Sequence, residues 1–123
     1  MKKPQISVVM PTYNAEIYIA RAIESIIHQT FKAFELIIVD DCSNDRTLSI
    51  ARKYARFDKR IRIYRNEKNL KIAKSLNRAI RLAQADIVAR MDADDVSDVK
   101  RLELQYEVLK KNPDVAVVGS NMI

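Results

Sequence analysis

The sequence predicts an α/β fold, a mostly parallel sheet between two layers of helices, on three observations. Apolar runs of strand length alternate with segments of helical period along the chain. A length of 123 residues sits near the commonest domain size, so residues 1–123 are read as one unit around one core. Each strand-like run is followed by polar groups, which in a parallel sheet gather on the edge where ligands bind.

The elements follow in order. "ISVVM" (6–10) is the first strand, bounded by Pro11. From Ala15 to Gln29, Ile19, Ile23, Ile26 and Ile27 recur at spacings of three and four, which makes an amphipathic helix. "ELIIVDD" (35–41) is the second strand. A helix follows over 45–57, with Ser43 or Asn44 as its N-cap. "IRIYRN" (61–66) alternates as a third strand, and Ile72, Leu76, Ile80 and Ala83 mark the apolar stripe of a third helix. "DIVARM" (86–91) is the fourth strand. A helix over 98–111 carries Leu102, Tyr106 and Leu109, and "VAVVGS" (115–120) reads as a fifth strand.

With 48% hydrophobic and 31% charged residues the composition is that of a soluble globular domain, which excludes a disordered chain. The N-terminal apolar run is too short for a signal peptide, and no segment has the length of a transmembrane helix. One cysteine makes no internal disulfide, which suits a reducing compartment, so the cytoplasm is the expected location. Between Arg46 and Arg81, 13 Lys/Arg stand against Asp58 and Glu67, a net of +11; the remainder carries −5, giving the overall +6. Such a basic middle either decorates outer helix faces or attracts phosphates, an anionic membrane surface or nucleic acid.

The candidate chemistry lies in "DIVARMDADDVSD" (86–98), where Asp92, Asp94 and Asp95 fall within four residues just past a strand. Carboxylates this close raise one another's pKa unless something positive sits among them. Mg²⁺ and Mn²⁺ take oxygen ligands and share them between one or two carboxylates and substrate phosphates, which suits an Asp-x-Asp loop. The alternative is a solvated turn, with Asp98 as the cap of the next helix. On the same edge, Tyr13 offers a ring on which a base could stack, or half-buried packing. Asp40 or Asp41 could accept a hydrogen bond from a base N–H, or cap the turn at Ser43. The single glycine, Gly119, excludes both a dinucleotide fingerprint and a P-loop. His28 reads as a helix C-terminal partner and Cys42 as a small turn residue.

Together "ISVVMPTYNAEIYIARAIESIIHQTFKAFELIIVDDCSNDRT" and "ARMDADDVS" followed by "RLELQYEVLKKNPDVAVVGS" resemble the family 2 glycosyltransferases, which have the GT-A fold. The resemblance runs the length of the chain. It implies inverting transfer of a sugar from a nucleotide-diphosphate donor, with a UDP-sugar favoured, and Mn²⁺ or Mg²⁺ as the cofactor. It implies that Pro11, Thr12 and Tyr13 line the base, that Asp41 with Asp40 contacts it, that Asp92 lies near ribose and metal, and that Asp94 is the principal metal ligand. The acceptor implied is a glycan or lipid-linked saccharide. A peripheral contact at the inner face of the membrane and a homodimer are further expectations. The family's general base and acceptor site are expected beyond Ile123, so no catalytic residue is assigned within the chain. Glycine is frequent in the family where this chain has Cys42, Arg46 and Lys71, which puts side chains where the backbone takes positive φ or approaches the donor. A receiver-type phospho-acceptor domain fits less well, because its acid pair ends the first strand and a lysine its fifth. A nucleic-acid-binding module leaves the acidic edge unexplained, and no nucleic-acid partner is expected.

Overall fold

In the computed structural model, which describes residues 3–111, four parallel strands form one sheet. They are β1 (Ile6–Thr12), β2 (Phe34–Asp40), β3 (Ile61–Arg65) and β4 (Ile87–Arg90), in the spatial order β3-β2-β1-β4. The connecting helices are α1 (Ile19–Ile27), α2 (Thr47–Phe57) and α3 (Lys71–Leu82), and α4 (Arg101–Lys111) follows β4. The segment read as a fifth strand, 115–120, lies outside the described residues. Among the described residues no helix is long and apolar enough to cross a membrane.

Alternation along β1 and β2 sorts the core into two halves. Ile6, Val8, Met10, Leu36 and Ile38 face α1, α2 and α4, where Ile19, Ile23, Ile26, Ala51 and Leu102 meet them. Val9, Ile37 and Val39 face the opposite side, under Ala79 and Leu76 of α3. Both central strands are buried on both faces, which is why they read as unbroken apolar runs. Each buried isoleucine contributes about 1.5–3 kcal/mol relative to exposure, so Ile23→Ala is costly.

β1 runs through Pro11 to Thr12, past its predicted end. The Met91 amide donates to the Val9 carbonyl at 3.0 Å, so the amide position of residue 11 points to the same side as β4. Paired β4 has ended at Arg90 by then, and the missing N–H of Pro11 takes nothing from a ladder.

Three helices begin later than their patterns predict, because the residues ahead of them are used in turns. α1 starts at Ile19; Ala15 to Tyr18 form a turn in which the Tyr18 amide donates to the Ala15 carbonyl. α2 starts at Thr47, and neither Ser43 nor Asn44 caps it. Asp45 closes its first turn instead, accepting from the Thr47 amide (2.9 Å) and hydroxyl (2.5 Å). α4 starts at Arg101, after Asp98 has accepted the Lys100 amide in a turn of its own.

The stripe read on α3 holds at Leu76 and Ala83, which pack against the sheet, and fails at its two isoleucines. Ile72 and Ile80 are 55% and 44% exposed, and the surface pressed on the sheet is Ser75 and Ala79. Small residues let this helix lie close over Val9 and Val39, leaving the two isoleucines at its flanks.

Candidate functional site

The carboxyl ends of β1, β2 and β4 open into a cavity of about 510 Å³. Pro11, Thr12 and Tyr13 line one wall, Asp41 the floor towards β2, and Asp92 and Asp94 the β4 side. The structure thus brings together six of the seven residues singled out in the sequence. Asp40 stands apart. Its fully buried carboxylate accepts from the Ser43 hydroxyl (2.5 Å) and amide (3.1 Å), so it shapes the loop after β2 and does not face the cavity. Successive strand residues point to opposite sides, and Asp40 and Asp41 divide accordingly.

Asp41 is also buried, yet it lies on the cavity wall. Its Oδ1 accepts from Asn66 Nδ2 (2.9 Å) and the Leu70 amide (2.7 Å), and its Oδ2 from the Lys71 amide (2.9 Å). The first turn of α3 is therefore capped by a carboxylate about thirty residues upstream, with Asn69 Oδ1 as a second, longer acceptor for the Lys71 amide (3.2 Å). One lone-pair position on Oδ2 remains for a ligand N–H. Thr12 presents the converse case: its hydroxyl is buried and has no hydrogen-bond partner. Such an orphan at a cavity wall suits an incoming polar group.

Two loops frame this wall. The Asn14 amide donates to Ser43 Oγ (2.9 Å), and the Asn44 amide returns a bond to Asn14 Oδ1 (2.8 Å). The Ala15 amide donates to Thr47 Oγ1 at 2.7 Å. Burial alone would raise the Asp45 pKa, but the Thr47 hydroxyl and amide and the Glu16 amide together hold it below the ordinary carboxylate value. Asn14, Cys42 and Lys71 have φ of 47°, 63° and 74°. Two of the three positions where glycine is common in the resembled family thus do need the left-handed region, and Arg46, with φ −87°, does not.

Across the cavity, Asp92, Asp94 and Asp95 bring one carboxylate oxygen each within 4.8 Å of one another. Arg90 reaches Asp92 Oδ1 at 3.2 and 3.3 Å, and the Asp92 amide donates to Asp95 Oδ2 at 3.2 Å. An all-oxygen set of this compactness fits a hard divalent cation and leaves coordination positions for phosphate oxygens. The loop is anchored from behind. The Ser97 amide donates to Ser25 Oγ (3.0 Å), while buried Gln29 donates to the Asp98 carbonyl (2.6 Å) and accepts the Leu102 amide (3.0 Å).

Tyr18, Asn69 and Arg90 also line the cavity and were not singled out in the sequence, while Lys71 and Ile72, which line it too, were read only as a departure from glycine and as part of the α3 stripe. An aromatic just ahead of the α1 stripe was the available signal for Tyr18. Arg90 gave none, being one basic residue among 22.

Comparison with known proteins places this geometry. The model of glycosyl transferase family 2 matches residues 7–123. The chain belongs to that family. Bacillus subtilis EpsE, assigned as a glycosyltransferase, is 44% identical over 121 residues, covering 98% of this chain and 44% of its own length. Among solved structures, Staphylococcus aureus TarS (residues 1–349) in complex with UDP-GlcNAc superposes with a TM-score of 0.82 at 33% identity, over 89% of this chain and 32% of that one. The mannosyltransferase PcManGT of Pyrobaculum calidifontis, in complex with GDP-Man and Mn²⁺, gives 0.81 at 27% identity, over 88% and 33%. The family 2 chain described here is therefore α/β with the GT-A fold, and it spans less than half the length of each of these three proteins.

Proposed function

We propose that residues 1–123 form the donor-binding part of an inverting glycosyltransferase that takes a nucleotide-diphosphate sugar, a UDP-sugar by preference. The observation that carries this reading is one cavity with two chemically different walls: Thr12, Tyr13 and Asp41 on one, and on the other the Asp92 and Asp94 carboxylates, with Asp95 clustered beside them. The first wall suits a base. Tyr13, 42% exposed, offers a ring face, the Thr12 hydroxyl is unpartnered, and Asp41 has an acceptor position left. The second suits a diphosphate held through a cation.

In this reading Asp94, with Asp92, holds Mn²⁺ or Mg²⁺. When bound, the cation accepts negative charge developing on the diphosphate leaving group. Lys71 and Arg90 also line the cavity and add positive charge to it. The acceptor, a glycan or lipid-linked saccharide, must be held in line with the anomeric carbon while a base takes its proton. In this reading the carboxylates lining the cavity serve base and cation, so none of them is assigned as the general base. General-base catalysis contributes roughly 10²–10⁴-fold, and these 123 residues alone are expected to transfer sugar negligibly.

The test is titration calorimetry with UDP, with and without Mn²⁺. Mn²⁺ should enhance binding, and Asp94→Ala should abolish the enhancement; an unchanged metal effect in that variant overturns the assignment. Tyr13→Ala should weaken binding by roughly 1–3 kcal/mol through lost stacking.

A further inference from the structure

Arg101 is the least expected side chain near the cavity. It opens α4, yet it is only 6% exposed, and its Nε has no hydrogen-bond partner. A buried guanidinium is costly unless its charge and donors are used. Its two terminal nitrogens are used, and at informative places. Nη2 donates to the Arg90 carbonyl (2.7 Å), the last residue of β4, and Nη1 to Ser97 Oγ (2.9 Å). These two points bracket residues 91–96, the loop that carries the three aspartates. Among the described residues no carboxylate pairs with Arg101 directly, and Asp95 is the acid whose charge acts on it.

We propose that Arg101 is the positioning residue of the acidic loop: one buried guanidinium spans the loop's two ends and holds its carboxylates in register for the cation, without touching cation or donor. A planar fork reaches two acceptors in fixed directions, which a lysine ammonium cannot do from the same stem. Its positive charge beneath the loop also offsets part of the carboxylate repulsion before any cation arrives. This inference rests on the donor reading above, because it gives the loop its metal. Partners that orient metal ligands from behind are commonly worth 10–100-fold in metal affinity.

The experiment compares Arg101→Met and Arg101→Lys with the parent chain, reading UDP affinity with and without Mn²⁺, Mn²⁺ occupancy by electron paramagnetic resonance, and amide exchange. Both variants should lose about 10–100-fold of the Mn²⁺ enhancement. UDP affinity without metal should stay within about twofold. The amides of residues 91–97 should exchange faster, while those of α1 stay protected. Should Arg101→Met fail to fold, Arg101→Lys keeps the buried charge and carries the test alone. Full Mn²⁺ enhancement in a folded variant, or unchanged exchange across 91–97, overturns the proposal. If the parent itself shows no Mn²⁺ enhancement, the donor reading fails; faster loop exchange in the variants would then still support the clamp.

Discussion

Two groups of aspartates stand on the same edge of the sheet, and they have opposite surroundings. Asp41 is 2% exposed and receives three hydrogen bonds from Asn66, Leu70 and Lys71. Asp92 and Asp94 are exposed, and with Asp95 they bring one oxygen each within 4.8 Å of one another. The first carboxylate stabilises the fold by closing the start of α3. The second group is held only by Arg90 on Asp92 and by the Asp92 amide on Asp95, which leaves most of its oxygens open. A ligand site of this kind needs both: a wall that does not move, and charges that the wall has not already satisfied.

The contrast can be broken at several points. The largest effect is expected from Asp41→Ala, which takes the acceptor from the Leu70 amide and from one Asn66 N–H and leaves the Lys71 amide only its 3.2 Å bond to Asn69 Oδ1. Bonds to a charged acceptor are worth about 1.5–3 kcal/mol, so urea unfolding should show a loss of roughly 3 kcal/mol or more. Asp41→Asn, which keeps one acceptor oxygen, should lose less. Equal losses would mean that the capping is immaterial.

A smaller effect is expected where the capped turn forces Lys71 to φ 74°. A left-handed non-glycine residue costs about 1–2 kcal/mol, part of which glycine returns through unfolded-state entropy. Lys71→Gly should therefore be more stable than Lys71→Ala by roughly 1 kcal/mol in thermal unfolding. The alanine comparison removes the effect of losing the ammonium.

The pH dependence sharpens the same distinction, since Asp45 is a third carboxylate engaged in closing a loop. Its folded pKa is depressed below 3.8, so its contribution is present above that pH and is lost as pH falls through the folded value. The stability gap between the parent and Asp45→Asn should be full at pH 6 and should narrow below about pH 4. Asp58, lowered first by its Arg60 side-chain bond, follows the same sign.

The smallest expected change is the most telling. Asp94→Ala should leave stability within about 0.5 kcal/mol of the parent, with relief of repulsion as a slight gain. A loss comparable to that of Asp41→Ala would place Asp94 among the structural carboxylates and remove the contrast.

Much of this was legible along the chain because burial follows local period. Ile19, Ile23 and Ile26 recur as a helix face must, β1 and β2 are apolar throughout as doubly covered strands must be, and the polar residues after them mark an edge. Those patterns determined the strand–helix order, the sheet edge that carries the cavity, and six of the seven residues brought to it. Tertiary structure decided the rest, because the deciding partners are distant in sequence. Asp40 and Asp41 are indistinguishable as a pair until Ser43 takes one and the start of α3 takes the other. The face of α3 could not be chosen until the close approach of Ser75 and Ala79 to the sheet left Ile72 and Ile80 outside. Arg101 looks like any helix-surface cation until the chain folds the Arg90 carbonyl and Ser97 around its guanidinium. Hydrophobic period records which residues leave water; which polar groups then meet is set by three-dimensional proximity, and the one-dimensional pattern does not contain it.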